Sequence, residues 1–233
     1  MGKYFDIGRF FDRLPKILPY LNITFQIVIV TMILGTLLGI MVAILRIRKI
    51  PILHQILGIY ISFMRGTPVL VQMFITYYGI PLVLGNLFLD LFGINLNSVN
   101  VLIFVEIAII LNEGAFLGEI FRSAILAIPS VQSEAGYSIG MTNTQTFIRI
   151  VLPQAIKVAI PQYGVDLIGV FQNTSLVFVL GVLDIMGKAK TLGVATGHAI
   201  EGFVAVACIY IVISLLLKAG FLFLESRMAY GRR

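Results

Sequence analysis

Five apolar runs, each long enough to cross a bilayer, dominate the sequence: residues 21–45, 53–84, 99–121, 160–182 and 201–224. A helical crossing needs about 20 such residues, since each adds 1.5 Å against a hydrocarbon core of roughly 30 Å. The second run is too long for one straight span, and the fourth is interrupted by Asp166 and by Gln172-Asn173-Thr174-Ser175. Composition agrees: 59% of residues are hydrophobic and only 12% charged, where soluble domains carry about 25% charged residues. These values exclude a soluble enzyme and a disordered chain, and a single cysteine, Cys208, excludes a disulfide scaffold. The predicted fold class is all-α: a polytopic helical membrane protein with about five transmembrane helices.

A net charge of +6 would suggest nucleic acid in a soluble chain, but here the basic residues cluster beside the spans and report topology. Nucleic acid is therefore not an expected partner. One face collects Arg46, Arg48, Lys49, Arg122, Arg149, Lys157, Lys218, Arg227, Arg232 and Arg233. The other holds Lys3, Arg9, Arg13, Lys16, Lys188 and Lys190, with Arg65 inside a span. The excess places the first face in the cytoplasm, with the N-terminus outside and the C-terminus inside. The first apolar run exceeds the 7–15 residues of a signal-peptide core and has no cleavage site behind it. Residues 1–20 form an amphipathic segment, with Ile7, Phe10, Phe11, Leu14, Ile17 and Leu18 at helical spacing, suited to the outer interface. Residues 21–224 form the transmembrane domain and 225–233 a cytoplasmic tail. Stretches 80–98 and 183–200 read as outer loops.

The longest hydrophilic stretch, 124–159, lies on the cytoplasmic side and reads as two short helices around a turn. Ser130 or Ser133 can cap the first, Gly140 stops it, Thr142 or Asn143 caps the second, and Pro153 limits it. The run Glu134-Ala135-Gly136, then Gly140, Ile150 and Leu152-Pro153, resembles the EAA loop of ABC importer permeases. The departure is Gly136, where that family usually has a second Ala. Phe63-Met64-Arg65-Gly66-Thr67-Pro68-Val69-Leu70-Val71-Gln72 is similar to the second-span motif of the polar amino acid uptake permeases. Gly114-Ala115-Phe116-Leu117-Gly118-Glu119-Ile120-Phe121-Arg122 is similar to their third span, and Asn173-Thr174-Ser175-Leu176 to their fourth-span element.

This resemblance implies a type I ABC importer permease-like fold in a bacterial cell membrane. It implies a second permease subunit, identical or paralogous, a dimer of ABC ATPases docked on the loops, and an external substrate-binding protein that delivers a polar amino acid. Cystine, glutamine and arginine remain open as substrates. No cofactor is expected in this chain; ATP and Mg would be bound by the partner ATPase. Glu134, Ala135, Gly136 and Gly140 are the implied transmission residues, within the pattern completed by Ile150, Leu152 and Pro153.

Charges inside a span cost roughly 2.5–3.5 kcal/mol each at the bilayer centre, so Arg65, Glu106, Glu113 and Glu119 should face protein, water or an interface. Arg65 and Glu113 lie at similar depths, which allows an ion pair; Glu119 can instead meet Arg122, three residues on. Pro68 lacks an amide proton and clashes with the preceding turn, so Gly66-Thr67-Pro68 should break the second span. The half-helix after it would favour an anion such as a carboxylate. Arg65, Thr67, Gln72, Glu113, Asp166, Asn173, Thr174 and Ser175 are the candidate substrate-path residues; a structural kink with a packing ion pair is the competing reading.

The stretch from Gly181 to Ala189 is faintly like a phosphate loop, but five residues separate Gly181 from Gly187 where the motif needs four, and Ala189 replaces the Mg²⁺-binding hydroxyl. Gly35/Gly39 and Gly114/Gly118 have the spacing for close helix approach, read as internal packing. His54 and His198 fall on opposite sides, so no shared metal site is expected, and no catalytic set is visible. A secondary amino acid transporter would also contain broken spans and buried charges, but it has no need of an EAA-like loop.

Overall fold

The computed structural model of the chain describes residues 5–229. Helix α1 (Ile7–Ile17) passes through a 3₁₀ turn at Leu18–Tyr20 into α2 (Leu21–Arg48). Lys49, at φ 51°, reverses the chain, and Pro51 opens α3 (Pro51–Gly66) at a position where its missing N–H is not needed. After the break at Thr67 and Pro68, α4 (Val69–Phe74) continues through a π turn at Ile75–Gly79 into α5 (Ile80–Phe92). Then come α6 (Val101–Leu126), α7 (Ser130–Ser138), α8 (Asn143–Thr146), a π turn at Phe147–Val151 and α9 (Leu152–Asn173). A 3₁₀ stretch at Thr174–Leu180, α10 (Ile185–Thr196) and α11 (Ile200–Ala229) complete the chain.

Five helical stretches are long and apolar enough to span a membrane: Ile7–Arg48, Val69–Phe92, Val101–Leu126, Asn143–Leu180 and Ile200–Met228. Several expected boundaries move. The second run becomes α3 plus Val69–Phe92, so most of the expected outer loop 80–98 is helix. Its polar residues, Asn86 and Asp90, are four apart and occupy one narrow face of an otherwise apolar helix. The fourth span starts earlier than expected: helix runs from Asn143 onward, and Pro153 sits in the first turn after the π turn instead of limiting the segment. Residues 225–229 continue α11 as helix. Residues 1–4 and 230–233 lie outside the described residues, and with them Lys3, Arg232 and Arg233 of the charge count.

The tightest packing joins α2 to α6. A Cβ on Gly35 would lie 3.0 Å from Glu113 Cβ, and one on Gly39 2.8 Å from Leu117 Cβ. From the other side, Gly114 faces Leu38 and Gly118 faces Val42. The two glycine pairs thus mesh with each other's helices inside one chain, an internal use of the close approach that their spacing allows. Around this seam Ile27, Met73, Ile109, Leu117 and Phe171 form the main core with α9 and α11.

A second cluster sits at the other end of the bundle. Ile17 of α1 packs with Ile185 and Ala189 of α10 and with Ala205 and Ile209 of α11. Arg13 is buried there, with Nη1 3.9 Å from the Glu201 carboxylate and Nη2 donating to Thr196 Oγ1 at 2.8 Å. The amphipathic segment is therefore docked on α10 and α11 through a buried ion pair, where its periodicity alone placed it simply on the outer interface. Ile7 and Phe11 remain exposed on its other side.

Candidate functional site

Two regions carry the sequence-predicted site residues: the helical loop between α6 and α9, and the broken span with its neighbours.

In the loop, α7 begins after Pro129 with no side-chain cap, so neither Ser130 nor Ser133 plays that part. Its end follows the expected chemistry. Gly140 adopts φ +83°, a conformation that costs an L side chain but not glycine, and Met141 N–H reaches back to Gly136 O at 3.1 Å. Thr142 then caps α8 in a reciprocal pair: Gln145 N–H donates to Thr142 Oγ1 at 3.3 Å and Thr142 N–H to Gln145 Oε1 at 3.0 Å. Gly136 is buried against the second helix; a Cβ there would lie 2.9 Å from Thr146 Oγ1 and 3.0 Å from Ile150 Cδ1. Glu134 and Ala135 are exposed, and so are Val131, Tyr137 and Ile139 around them. Leu152 is half-buried and Pro153 exposed. The loop is a helical knob with one carboxylate among exposed apolar side chains, anchored on the membrane-length stretch that begins at Asn143.

In the broken span, Thr67 and Pro68 are extended (φ −121° and −62°, ψ 147° and 136°). The carbonyls freed by the break are captured by side-chain amides. Gln72 Nε2 donates to Met64 O at 2.9 Å, Thr67 O at 3.1 Å and Thr67 Oγ1 at 2.8 Å. Asn112 of α6 donates from Nδ2 to Met64 O at 2.9 Å and to Gln72 Oε1 at 2.9 Å. Thr76 adds a bond to Phe104 O at 3.1 Å. Gln72 and Asn112 are both buried, so this staple lies inside the bundle. The sequence reading did not single out Asn112, although an uncharged polar residue beside Glu113 in an apolar span was a visible signal.

Arg65 does not pair with Glu113. Its guanidinium lies 5.2 Å from the centroid of the Phe116 ring, a cation–π contact. Glu113 is only 4% exposed and faces Asp166 of α9 at hydrogen-bonding range. One oxygen of each carboxyl, Oε2 and Oδ2, is buried without a donor. Glu119 pairs with Arg122 as expected, at 2.7 Å, and also draws Arg46 to 3.8 Å. Arg46 in turn reaches His54 Nε2 and O, both at 3.1 Å, tying the α2–α3 turn to α6. Glu106 accepts from Gln26 at 3.2 Å. Thr174 is buried and bonded to Phe171 O at 2.7 Å and to the Tyr210 hydroxyl at 2.9 Å, while Asn173 and Ser175 are half-exposed beside it. Asp184, fully buried, caps α10 by accepting from Gly187 N–H at 2.8 Å, and burial pushes its carboxyl up to about 6.

A bundle of membrane-length helices with a broken second span, a buried polar interior and a helical knob between its third and fourth spans defines a type I ABC importer permease. The chain belongs to the family of binding-protein-dependent transport system inner membrane components, whose model matches residues 35–230. It is 36% identical to the L-cystine transport system permease protein TcyL of Bacillus subtilis over 98% of this chain and 93% of that one. It is 37% identical to a probable amino-acid ABC transporter permease protein, PatM, of Vibrio harveyi over 98% and 99%. An arginine transport system permease protein of Corynebacterium glutamicum is 32% identical over 89% of this chain and 66% of its own length. Among solved structures, an amino acid ABC transporter crystallised with histidines superposes with a TM-score of 0.82 at 27% identity, covering 96% of this chain and 99% of that one. The inward-facing MetNI methionine transporter shares the fold, with a TM-score of 0.67 at 15% identity over 96% and 99% of the two chains.

Proposed function

We propose that the chain imports a polar amino acid across a bacterial cell membrane, as one of two permease subunits driven by a separate pair of ABC ATPases. The observation that carries this reading is the knob: exposed Glu134 and Ala135 are held through buried Gly136 against a helix that runs from Asn143 to the Glu113–Asp166 pair and Asn173. A push on α7 is thus delivered to the residues of the candidate path. The ATPases bind ATP and Mg and close on the two loops; the pathway then alternates between inward and outward access, and an external binding protein supplies the substrate. The loop faces the cytoplasm, with the N-terminus outside.

Within the path, the Glu113–Asp166 pair compensates a cationic group, which suits the ammonium of an amino acid, and Arg65 is a counter-charge for its carboxylate. Thr67 and Gln72 shape the path through the break. Asn173, Thr174 and Ser175 act at the end of α9. Cystine, glutamine and arginine all fit these groups; the names of the cystine and arginine relatives support that class. The test is purification of the tagged chain from native membranes in mild detergent, with mass spectrometry of what accompanies it. An ABC ATPase is expected, and Glu134→Lys should release it without unfolding the chain. A chain that transports with no ATPase present would overturn the reading.

A further inference from the structure

We infer that a slot between α2, α6 and α9 binds one acyl chain of an anionic phospholipid, with Arg48 and Arg149 holding its headgroup. The inference rests on the proposed function for its membrane side, since it takes the α7–α8 loop to face the cytoplasm.

The slot is a cavity of about 610 Å³. Ile40, Ile44, Ala124, Phe147, Ala155 and Ile156 contribute to its walls. Thr36 and Tyr163, which also line it, bond to each other at 3.1 Å and so satisfy one another. A cavity without free polar groups does not hold water well. Ile40, Ile44 and Ile156 are exposed, so the slot opens sideways, toward the bilayer. Its floor is fixed because α2 and α9 both pack against α6.

One end is cationic. Arg48 follows the lining residue Ile44 by one turn at the C-terminal end of α2, just past the apolar part of the wall. Arg149 stands in the π turn between the lining residues Phe147 and Leu152. Both arginines are exposed, and neither makes an ion pair among the described residues. Glu119, an acid on α6 toward this end, is already engaged by Arg122 and Arg46. An apolar slot with two exposed guanidiniums beyond one end matches an acyl chain below a phosphate, which guanidinium groups bind in a forked geometry. A protein helix seated there would have to bring an anion to each arginine; an anionic headgroup at that level of the bilayer carries its charge already in place.

The occupant would brace the coupling region. Phe147, Arg149 and Leu152 belong to the helical stretch against which Gly136 packs, so the lipid steadies the support of the knob.

The experiment uses the intact transporter in mild detergent, with native mass spectrometry after addition of phosphatidylglycerol or phosphatidylethanolamine. Adducts are counted on the released permease subunit, so the result is independent of whether an ATPase is retained. The expected result is one phosphatidylglycerol per permease, retained in preference to phosphatidylethanolamine. Arg48→Gln with Arg149→Gln should lower that preference by about fivefold per cation removed. Ile40→Trp, which enters the slot from its open side, and Ala155→Phe, which fills it from the floor, should each remove the adduct. Equal retention of both lipids, or an adduct unchanged in Ile40→Trp, would overturn the inference. So would a cross-link from the Ile40→Cys variant to the second permease, which would put a protein helix in the slot. Failure of the ATPase to co-purify while the adduct behaves as expected would count against the functional reading and leave the slot standing.

Discussion

The staple across the Pro68 break makes a prediction whose size can be worked out from its bonds. Gln72→Leu keeps the side-chain volume nearly constant while removing one amide that donates to Met64 O, Thr67 O and Thr67 Oγ1 and accepts from Asn112. Met64 O keeps its second donor in Asn112, so the principal orphans are Thr67 O and the Asn112 amide hydrogen that faced Gln72. A buried unsatisfied polar group costs about 1–3 kcal/mol, while hydrogen bonds between membrane helices measure about 0.6 kcal/mol on average and about 1.7 at most. With two groups stranded in a site that Pro68 prevents from closing into regular helix, Gln72→Leu should destabilise the folded chain by about 2 kcal/mol. Asn112→Leu removes the other amide and frees both Met64 O and Gln72 Oε1 from it, with a similar expected cost.

The pair is the sharper test. If the two amides act as one unit, the double variant should lose about 1 kcal/mol less than the sum of the single losses, because each single change already breaks the bond they share. The measurement is reversible unfolding in mixed micelles for the four members of the cycle. Strict additivity would refute the staple, since independent residues do not couple. A loss under about 0.5 kcal/mol for both singles would refute it as well, because the break would then be solvated or flexible enough to satisfy its own carbonyls.

Two further predictions concern other parts of the bundle. Gly39→Ala should cost about 1–3 kcal/mol as an overpacking change, because its new Cβ would press to 2.8 Å from Leu117 Cβ and 3.0 Å from Gly118 N. Gly220→Ala, with nothing within 4 Å of the added carbon, should be neutral or stabilising by up to about 1 kcal/mol through helix propensity; thermal unfolding of the two variants in one detergent checks the contrast. Asp184 gives a pH signature. Its carboxyl titrates at about 6 when folded against 3.8 ordinarily, so the native state favours the protonated form. Stability from this group is therefore greatest below about pH 4 and is lost as the pH rises toward 6, by about 3 kcal/mol in all, since each tenfold difference in proton affinity between the folded and unfolded chain is worth about 1.4 kcal/mol. Asp184→Asn should flatten the wild-type decline between about pH 4 and 6, and an unchanged slope would refute the assignment.

Features governed by local chemistry were legible in the sequence. The break followed from Pro68, the stop at Gly140 from glycine's conformational freedom, the cap from Thr142 or Asn143, and close internal helix packing from two glycine pairs spaced by four; which helices those pairs join was not legible. Features that depend on how helices rotate against each other were not. Depth along the membrane normal brought Arg65 and Glu113 level, but their azimuths differ: Arg65 turns to Phe116, and Glu113 turns to Asp166 on a helix far away in sequence. The same reason hid the pairing of Gln72 with Asn112, which are 40 residues apart, and of Arg13 with Glu201. α5 was misread for another reason. The stretch 80–98 reads as an outer loop, yet Gly85, Asn86 and Asp90 fall within a helix whose leucines keep it apolar.

The departure at Gly136 shows how loop and span are made as one object. A second alanine at that place would push its methyl into Thr146 and Ile150, and those two side chains belong to the helix that continues into α9. The space that the methyl would occupy is filled from the other side of the crossing, so the two short helices approach more closely here than an alanine would allow. Glu134 and Ala135 point away from this contact, and the surface presented to a partner is left unchanged by the missing methyl. What changes is the joint beneath it, where a glycine costs up to about 1 kcal/mol of local helix propensity and gains close contact with a long helix. That helical stretch runs from Asn143 to Asn173, with Pro161 inside α9, so displacement of α7 is carried along it toward Asp166. The π turn at Phe147–Val151 interrupts its regular winding on the way, and it lies at the end of the slot between α2 and α9, where a bound acyl chain would support it.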